Sequence, residues 1–329
     1  MRVVFIGGTG NISSDCAELL HERGHEVTVV TRGNTPAPDW CKQVTADRTD
    51  AAVMNGALGG AQADVVINFL GFDVPDLEVD YQLFGGKISQ YIFISSATVY
   101  AKPHRDLPIT EKSLLGNPFS DYAQKKQKCE EWLRARREET GFPVTVVRPS
   151  HTYSRRWIPN VVVSSGYTFA ARLEQGKPVF VHDDGQGLWT MTSTRDFAVG
   201  LAGLVGQEAA IGETYHVTSD EVLTWNQIYA EIAMALGVDS PDVRRIPTDF
   251  ICARAPEMTA KLTGDKAEPG VFDNARIKKA VPDFECRTSF RQGMHESVEW
   301  FNEDPARKTV DDKIDALFDT VISAWDQEQ

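Results

Sequence analysis

The amino-acid sequence predicts an α/β protein in which a doubly wound parallel sheet is followed by a smaller C-terminal α/β region. Over the first 150 residues, short continuous apolar runs alternate with stretches of helical periodicity. Continuous apolar runs are typical of strands that are buried on both faces. Strands that are separated by helices form βαβ units with parallel strands and right-handed crossovers. A glycine-rich turn directly after the first run fits the same architecture.

The apolar runs and the turn signals between them give the expected elements in chain order. Strands are expected at 3–6, 26–30, 44–46, 64–69, 91–94 and 144–147, and a helix at 14–23. Beyond residue 150 we expect strands at 179–181 and 214–217, helices at 194–204, 225–236, 276–280 and 290–302, loops at 155–159 and 185–189, and a peripheral helix after Pro305. These elements divide the chain into domains at 1–150 and 151–329, with residues about 187–205 returning to the first domain.

The composition indicates a globular protein without nucleic-acid or membrane partners. The 329 residues are 42% hydrophobic, and the net charge of −13 argues against the basic face that phosphate backbones require. No apolar run is long enough to span a bilayer, and the N-terminus lacks the layout of a signal peptide, so a cytoplasmic location is expected. The five cysteines contain no CxxC pair, so we expect neither a disulfide framework nor a metal site.

The glycine-rich turn at residues 7–10, with the sequence GGTG, predicts a dinucleotide-binding site. It follows the first strand and precedes the first helix, which is the position of the phosphate-binding turn in a Rossmann fold. We expect Gly7 to permit the turn and Gly10 to let the backbone approach a pyrophosphate at the helix N-terminus. Ser13 replaces the third glycine of the usual pattern, and its small side chain still allows close packing.

The end of the second strand bears on which dinucleotide is bound. An acidic residue there would bind the ribose 2′-hydroxyl of NAD, but the chain has Arg32, whose guanidinium suits the 2′-phosphate of NADP. The sequence thus favours NADP, and the alternative is that Arg32 lies over the adenine and the site takes NAD. After the third strand, Asp47 is placed to accept from the adenine amino group, with Arg48 beside it.

A tyrosine, a lysine and a serine are the candidate catalytic residues. Tyr122 and Lys126 are four residues apart, which places them on one face of a helix. A tyrosine with an ordinary pKa of about 10 is a poor base at neutral pH, and we expect the neighbouring ammonium to lower this pKa. Ser96 follows the fifth strand, at the sheet edge where ligands bind in open α/β folds. Together these residues predict hydride transfer between a substrate and a nicotinamide.

These motifs resemble those of the short-chain dehydrogenase/reductase superfamily, specifically its extended branch of NAD-dependent epimerases and dehydratases. The resemblance includes residues 7–13, 47, 68–71, 95–100, 122–126, 148–149, 194–198 and 212–217. The chain also looks like the subgroup related to the chloroplast stem-loop-binding proteins, which shares the short connection between strands two and three.

The resemblance implies roles for particular residues. Ser96, Tyr122 and Lys126 are expected in catalysis, with Lys126 also holding the nicotinamide ribose, and helices near Tyr122 are expected to allow a homodimer. Further cofactor contacts are expected at Asn11, Ile12, Phe69, Leu70, Gly71, Ser95 and Pro149.

The leading hypothesis for the reaction is epimerisation or dehydration of a sugar, nucleoside or nucleotide sugar. Tyr122 would remove a hydroxyl proton during a transient oxidation by NAD(P)⁺. The 4,6-dehydratases of this branch carry Thr-Asp-Glu where this chain has Ser96-Ala97-Thr98, so their elimination acid and base are missing from this motif. His151, after the sixth strand, is either a second acid or base or a hydrogen-bonded structural histidine.

The substrate is expected to be a small polar molecule that contains a sugar. Its expected contacts are Ser96, Thr98, His151, Tyr153, Arg155 and Arg156, with Trp157 nearby. Two alternatives stay open. One is a net NADPH-dependent ketone reductase or alcohol dehydrogenase, which Arg32 favours. The other is a non-catalytic dinucleotide- or RNA-binding protein, which the net charge of −13 disfavours.

Overall fold

A computed structural model of the chain describes residues 1–58, 60, 62–163 and 165–329. Its strands are β1 (Arg2–Ile6), β2 (Glu26–Thr31), β3 (Lys42–Thr45), β4 (Val65–Asn68), β5 (Gln90–Ile94), β6 (Val144–Pro149), β7 (His151–Tyr153), β8 (Val179–His182), β9 (Leu188–Ser193), β10 (Thr214–Val217), β11 (Val222–Thr224) and β12 (Val243–Ile246). Its α-helices are α1 (Ser13–Glu22), α2 (Ala51–Leu58), α3 (Val74–Phe84), α4 (Asp121–Thr140), α5 (Thr168–Glu174), α6 (Thr194–Leu204), α7 (Trp225–Ala235), α8 (Thr248–Arg254), α9 (Ala275–Ala280), α10 (Phe290–Glu303) and α11 (Asp312–Glu328). Among these helices, none has both the length and the apolar character that crossing a membrane demands.

A parallel sheet with helices on both faces organises the first half of the chain. Within the described ranges it contains seven strands in the order β10-β6-β5-β4-β1-β2-β3, and every neighbouring pair is parallel. The order of the first six strands is that of a dinucleotide-binding doubly wound sheet. The predicted fold class is therefore confirmed. The strands expected before residue 150 begin and end within two residues of their expected positions.

The first strand shows why these strands read as continuous apolar runs. Val3 and Phe5 pack in the cluster that contains residues of α1 and α6. Val4 and Ile6 pack in a second cluster, which contains residues of α2, α3 and α4. Because alternate side chains of a strand point to opposite faces, a sheet that is covered on both faces needs apolar residues at every position.

The other elements form a second lobe, which we call the C-terminal lobe: β7 to β9, β11, β12, α5, α7, α8, α10 and α11. We call the seven-stranded sheet with α1 to α4, α6 and α9 the sheet lobe. In the C-terminal lobe β9 pairs with β7 and β11, and β8 pairs with β12. The core of this lobe surrounds the fully buried Trp225.

The helix expected after Pro305 is present as α11, and one face of it packs on the C-terminal lobe. Phe318, Val321 and Ile322 of α11 are buried in the core of this lobe. Arg172 of α5 donates to Asp315 at 2.6 Å, which fixes the start of α11 against this core. The other side chains of α11 are exposed or half-buried, as is typical of an amphipathic helix at the periphery of a protein.

Several elements had no counterpart in the sequence prediction. These are the helices α2, α3, α5 and α8 and the strands β7, β9, β11 and β12. In α3 the start signal is an aspartate pair, in which the Asp73 side chain accepts from the amide of Val74 at 2.9 Å and Asp76 accepts from the amide of Asp73 at 3.2 Å. The loop expected at 185–189 is shorter, because β9 begins at Leu188.

The chain returns to the sheet lobe beyond residue 150. The expected return over residues 187–205 includes β9, yet β9 pairs within the C-terminal lobe. The returning elements are α6, which packs on α1, β10, which extends the sheet beside β6, and α9, which packs on β10. We propose that the first domain consists of residues 1–150, 194–217 and 275–280.

A buried ion pair joins α4 to the sheet. Glu130 of α4 accepts from Nε of Arg148 at 2.9 Å and from Nη2 at 2.5 Å, and both side chains are about 2% exposed. Ser95, directly after β5, donates to Glu130 at 2.5 Å. Arg148 also donates to the Tyr100 hydroxyl at 2.8 Å, and that hydroxyl in turn contacts His216 of β10. Four elements of the sheet lobe are thus tied together around two charges.

Removal of Glu130 is expected to destabilise the fold strongly. In Glu130→Ala, Arg148 becomes a buried cation without a counter-charge, which costs roughly 3–5 kcal/mol of unfolding free energy. Urea unfolding of the two proteins measures this difference. The matched control is Glu131→Ala, since Glu131 is the exposed neighbour on α4, and we expect it to stay within about 0.5 kcal/mol of the wild type. Equal effects of the two substitutions would contradict this account of the pair.

Candidate active site

The glycine-rich turn is held in a conformation that favours glycine. Gly7 and Gly8 have φ values of 102° and 118°, and the amide of Gly7 donates to the carbonyl of Val30 at 2.9 Å. A Cβ on Gly8 would lie 2.5 Å from Cγ1 of Val29. Sequence reasoning assigned the turn to Gly7 and did not single out Gly8, whose requirement arises from contact with β2. Gly10 donates its amide to Oγ of Ser13 at 3.0 Å.

The N-terminus of α1 follows the turn, and among the described residues no side chain caps it. Its first amides and the positive end of the helix dipole are suited to a pyrophosphate. The Asn11 side chain instead donates to the carbonyl of Thr152 at 3.3 Å and accepts from Ser154. Asn11 therefore connects the turn to the segment after β6. A tight turn with three glycines and an open helix N-terminus fit a dinucleotide.

The ends of β2 and β3 carry the residues that were expected near the adenosine. Arg32 and Asp47 are both exposed there, and two hydrogen bonds from Thr49, at 2.7 and 3.0 Å, hold the pKa of Asp47 below its usual value. Arg48 lies elsewhere than expected. Its buried guanidinium donates to the Asp76 carbonyl at 2.5 Å and to Asp80 at 3.2 Å, which holds α3 in place and leaves the guanidinium directed away from a cofactor.

The other expected cofactor contacts lie at three places in the structure. Phe69, Leu70 and Gly71 follow β4 directly, and a Cβ on Gly71 would lie 2.9 Å from both Leu77 and Phe93. The Ser95 hydroxyl is committed to Glu130 in the buried network. Ile12 and Pro149 line a cavity at the carboxyl edge of the sheet.

Ser96, Tyr122 and Lys126 meet beside that cavity. Ser96 follows β5, and its Oγ accepts from the amide and the hydroxyl of Thr98 at 3.2 and 2.9 Å. Tyr122 lies in the first turn of α4, whose N-terminus is capped by Ser120. The Lys126 ammonium is 5.8 Å from the centre of the Tyr122 ring and donates to the carbonyls of Gly71 and Ile94 at 2.8 and 2.7 Å.

The protonation of this group differs from the sequence prediction. Burial raises the pKa of Tyr122 to about 12, although 43% of the residue is exposed, and a hydrogen bond with Ser96 acts in the opposite direction. Burial also lowers the pKa of Lys126 to about 8. The net pKa of Tyr122 is therefore raised, whereas the sequence prediction was that the neighbouring ammonium would lower it. The ammonium is directed to main-chain carbonyls, and loss of water outweighs its effect on the phenol.

The cavity has a volume of about 220 Å³ and lies between the carboxyl edge of the sheet and the C-terminal lobe. Three expected substrate contacts, Ser96, Thr98 and His151, line it, and Trp157 does so as well. Sequence reasoning did not anticipate the charged and aromatic side chains that complete the lining: Lys102, His104, Trp189, Asp265, Lys266 and Phe272. The segments that carry Lys102 and Asp265 are far apart in sequence, so no local pattern could have joined them.

His151 is a neutral hydrogen-bond donor in this cavity. Nδ1 accepts from the indole of Trp189 at 3.3 Å, so the ring proton is on Nε2. Nε2 is buried and has no partner among the residues that the structure describes. Burial lowers the pKa of His151 to about 3, so the ring does not act as a cationic acid near neutral pH.

Tyr153, Arg155 and Arg156, which were expected to contact the substrate together with Ser96, Thr98 and His151, do not line the cavity that contains those three residues. They line a separate cleft of about 660 Å³ between α1, α6 and α10. The reason is that the chain, held by Asn11, turns toward α1 at the end of β7. Arg156 also lines a smaller cavity of about 100 Å³ beside the glycine-rich turn.

Comparison with protein families agrees with this geometry. Residues 3–83 and 77–217 match the model of the NAD dependent epimerase/dehydratase family. The chain belongs to this family. The resemblance seen in the sequence is confirmed, and the proteins to which this chain is similar include epimerases, dehydratases and reductases.

Individual relatives show the range within this family. The 2′-dehydrokanamycin reductase of Streptomyces kanamyceticus is 26% identical over 289 residues, which cover 87% of this chain and 81% of the relative. The chloroplast stem-loop binding protein of 41 kDa b from Arabidopsis thaliana is 25% identical over 257 residues, 74% of this chain and 65% of the relative. The fold is similar to that of UDP-glucose 4-epimerase from Thermotoga maritima, solved with UDP-glucose, at a TM-score of 0.75 and 18% identity over 92% of this chain and 99% of the other.

Replacement of Gly8 is expected to cost more stability than that of a glycine with similar backbone geometry. Gly8→Ala adds both an unfavourable φ and a clash with Val29, together roughly 2–5 kcal/mol of unfolding free energy. Gly24→Ala is the matched control, because Gly24 has a φ of 82° but an added Cβ there would have no atom within 4 Å. Urea unfolding should show the larger loss for Gly8→Ala. Equal losses of unfolding free energy in the two variants would mean that the contact between the added Cβ and Val29 does not destabilise the fold.

Proposed function

We propose that the protein is a reductase that converts a ketone on a small polar ring compound, such as an oxidised sugar unit, into a secondary alcohol with NADPH. The observation that carries the proposal is the grouping of Ser96, Tyr122 and Lys126, in which Tyr122 keeps its proton at neutral pH. A protonated phenol can give a proton to a carbonyl oxygen. Removal of a proton from an alcohol instead needs the phenolate. In this state Tyr122 can therefore act as the proton donor of a reduction.

The chain's own residues account for the proton in this reaction. When bound, a reduced nicotinamide cofactor supplies the hydride that the carbonyl carbon accepts. The Ser96 hydroxyl donates to the carbonyl oxygen and positions it beside the phenol of Tyr122. As the C–H bond forms, the proton of Tyr122 moves to that oxygen, which leaves an alcohol and a phenolate. The nearby Lys126 ammonium stabilises the phenolate, and solvent returns the proton through the exposed part of Tyr122.

The cavity supports a single ring as the substrate. Its volume of about 220 Å³ is below the roughly 300–1,000 Å³ that is typical of sites for larger ligands. Trp157, Trp189 and Phe272 offer aromatic faces against which the apolar face of a sugar ring can pack. His151 offers a fixed donor through Nε2, and Lys102 and Asp265 offer charged partners for substituents. A whole nucleotide sugar would have to extend beyond this space.

The relatives and Arg32 support the same proposal. A relative named as a reductase matches over 81% of its own length. Arg32, exposed at the end of β2, suits a 2′-phosphate, which distinguishes NADPH from NADH.

Redox-neutral epimerisation is the second candidate, and Asp265 is the observation that favours it. A carboxylate that lines the cavity could exchange a proton on the carbon next to a transient ketone. Elimination has no such support at residues 96–98, which carry no acid.

Two measurements distinguish these candidates. The first is the mass of any nucleotide that denatured protein releases, because a redox-neutral enzyme retains NAD(H) between turnovers. The second is the consumption of NADPH against a panel of ketosugars and oxidised aminocyclitols. One NADPH used for each ketone reduced supports the reductase. An epimerised product without net use of cofactor would replace it with the second candidate.

Tyr122→Phe is expected to lower the kcat of ketone reduction by roughly 10²–10⁴-fold, because it removes the proton donor. The Kd of NADPH should change less than about twofold. The control is Tyr81→Phe, which deletes the same atom from a tyrosine of α3 that packs on Trp132 and Phe142 away from the cavity. Full activity of Tyr122→Phe would refute the role of Tyr122 as the proton donor, whereas a wild-type protein that binds the cofactor and reduces no ketone would leave a non-catalytic dinucleotide- or RNA-binding role.

Ketone reduction is expected to slow above about pH 8. The pKa of Lys126 is lowered to about 8, so its ammonium is lost as the pH rises through about 8, while Tyr122, whose pKa is raised to about 12, stays protonated. The phenolate then forms without a neighbouring cation. A profile of kcat/KM from pH 6 to pH 10, with circular dichroism at each pH as a control for folding, measures this. A rate that stays constant to pH 10 would contradict the role of the Lys126 charge.

A further inference from the structure

We infer that Arg156, which lies in the segment after β7, recognises the 2′-phosphate of NADPH in the small cavity beside the glycine-rich turn. This inference rests on the proposed use of NADPH. It adds to Arg32, at the end of β2, a second arginine that recognises the same phosphate.

The small cavity lies where the 2′-oxygen of a bound dinucleotide is expected. It lies against Gly8 and Thr9 of the turn, Val29 of β2, and Thr35 and Pro36 of the connection after β2. The adenosine ribose of a dinucleotide lies at the end of this strand, beside the turn. A group on the 2′-oxygen can therefore enter the space between the turn and the connection. The volume of about 100 Å³ suits one substituent rather than a separate ligand.

The side chains that line the small cavity are suited to a phosphate group. Arg156 is the charged residue in the described lining, which contains no aspartate or glutamate. Hydroxyl groups are contributed by Thr9, Ser14 and Thr35. One guanidinium with several hydroxyl groups and no carboxylate is suited to a phosphate, which accepts hydrogen bonds from all of them. A free ribose hydroxyl would gain much less from this lining.

Hydrogen bonds hold the backbone of Arg156 close to the glycine-rich turn. The Ser154 hydroxyl donates to Asn11, directly after the turn, and accepts from the amide of Arg156 at 3.3 Å. The backbone that carries Arg156 is thus held to the same turn that forms the floor of the cavity. Arg156 is exposed and, among the described residues, enters no salt bridge, so its charge is available to an anion.

The test is calorimetric binding of 2′,5′-ADP and of 5′-AMP, which measures recognition of the 2′-phosphate without turnover. Wild-type protein should bind 2′,5′-ADP more tightly. Arg156→Ala should weaken 2′,5′-ADP by roughly 10–100-fold, the worth of a charge-assisted hydrogen bond, and change 5′-AMP less than about threefold. Arg155→Ala is the matched control, since Arg155 is the exposed neighbour that lines the larger cleft only, and it should change neither ligand.

Three results would overturn the inference. One is equal binding of the two ligands by the wild type, and another is equal weakening of both ligands in Arg156→Ala. The third is a loss in Arg155→Ala as large as in Arg156→Ala, which would indicate general attraction of anions. Ketone reduction with NADH alone, together with equal binding of the two ligands, would remove this inference and leave the reductase in place. Preference for 2′,5′-ADP in a protein without reductase activity would do the reverse.

Discussion

The buried pair of Glu130 and Arg148 is the interaction on which the candidate site depends. Tyr122, Lys126 and Glu130 are spaced four residues apart along α4, so they lie on one face of the helix. Arg148 lies in β6 immediately before Pro149, the last residue of this strand, which lines the cavity at the sheet edge. The ion pair therefore fixes the position of α4 along the strands of the sheet and the rotation of α4 about its own axis. Such a pair gives little net stability against apolar residues of the same size, but its geometry is highly specific.

The sequence predicts well those features that arise from neighbours along the chain. Apolar runs locate the strands because both faces of the sheet are covered, and the four-residue spacing locates Tyr122 beside Lys126. Features that need distant segments were missed. Nothing near Lys102 indicates that it shares a cavity with Asp265, and nothing near Arg156 indicates that the chain turns toward α1.

Like contacts between distant segments, the exposure of a side chain to water cannot be predicted from the spacing of residues along the chain. The spacing shows that an ammonium lies near the Tyr122 phenol, yet the pKa of Tyr122 rises because burial outweighs that charge. His151 was expected either as an acid or base or as a structural residue. The structure makes its ring neutral and places its Nδ1 on Trp189, 38 positions later in the chain. Both outcomes follow from how much water the fold removes, which is a property of the whole assembly of elements.

The return of α6, β10 and α9 to the sheet has a consequence for how the molecule can move. Two lobes that share one linker can rotate about it as a hinge, whereas lobes joined by several chain crossings are restricted to small sliding movements. The main chain passes between these lobes repeatedly, after β6, before α6, after β10 and on both sides of α9. Any movement of one lobe toward the other around a ligand must therefore bend the main chain at all of these crossings together.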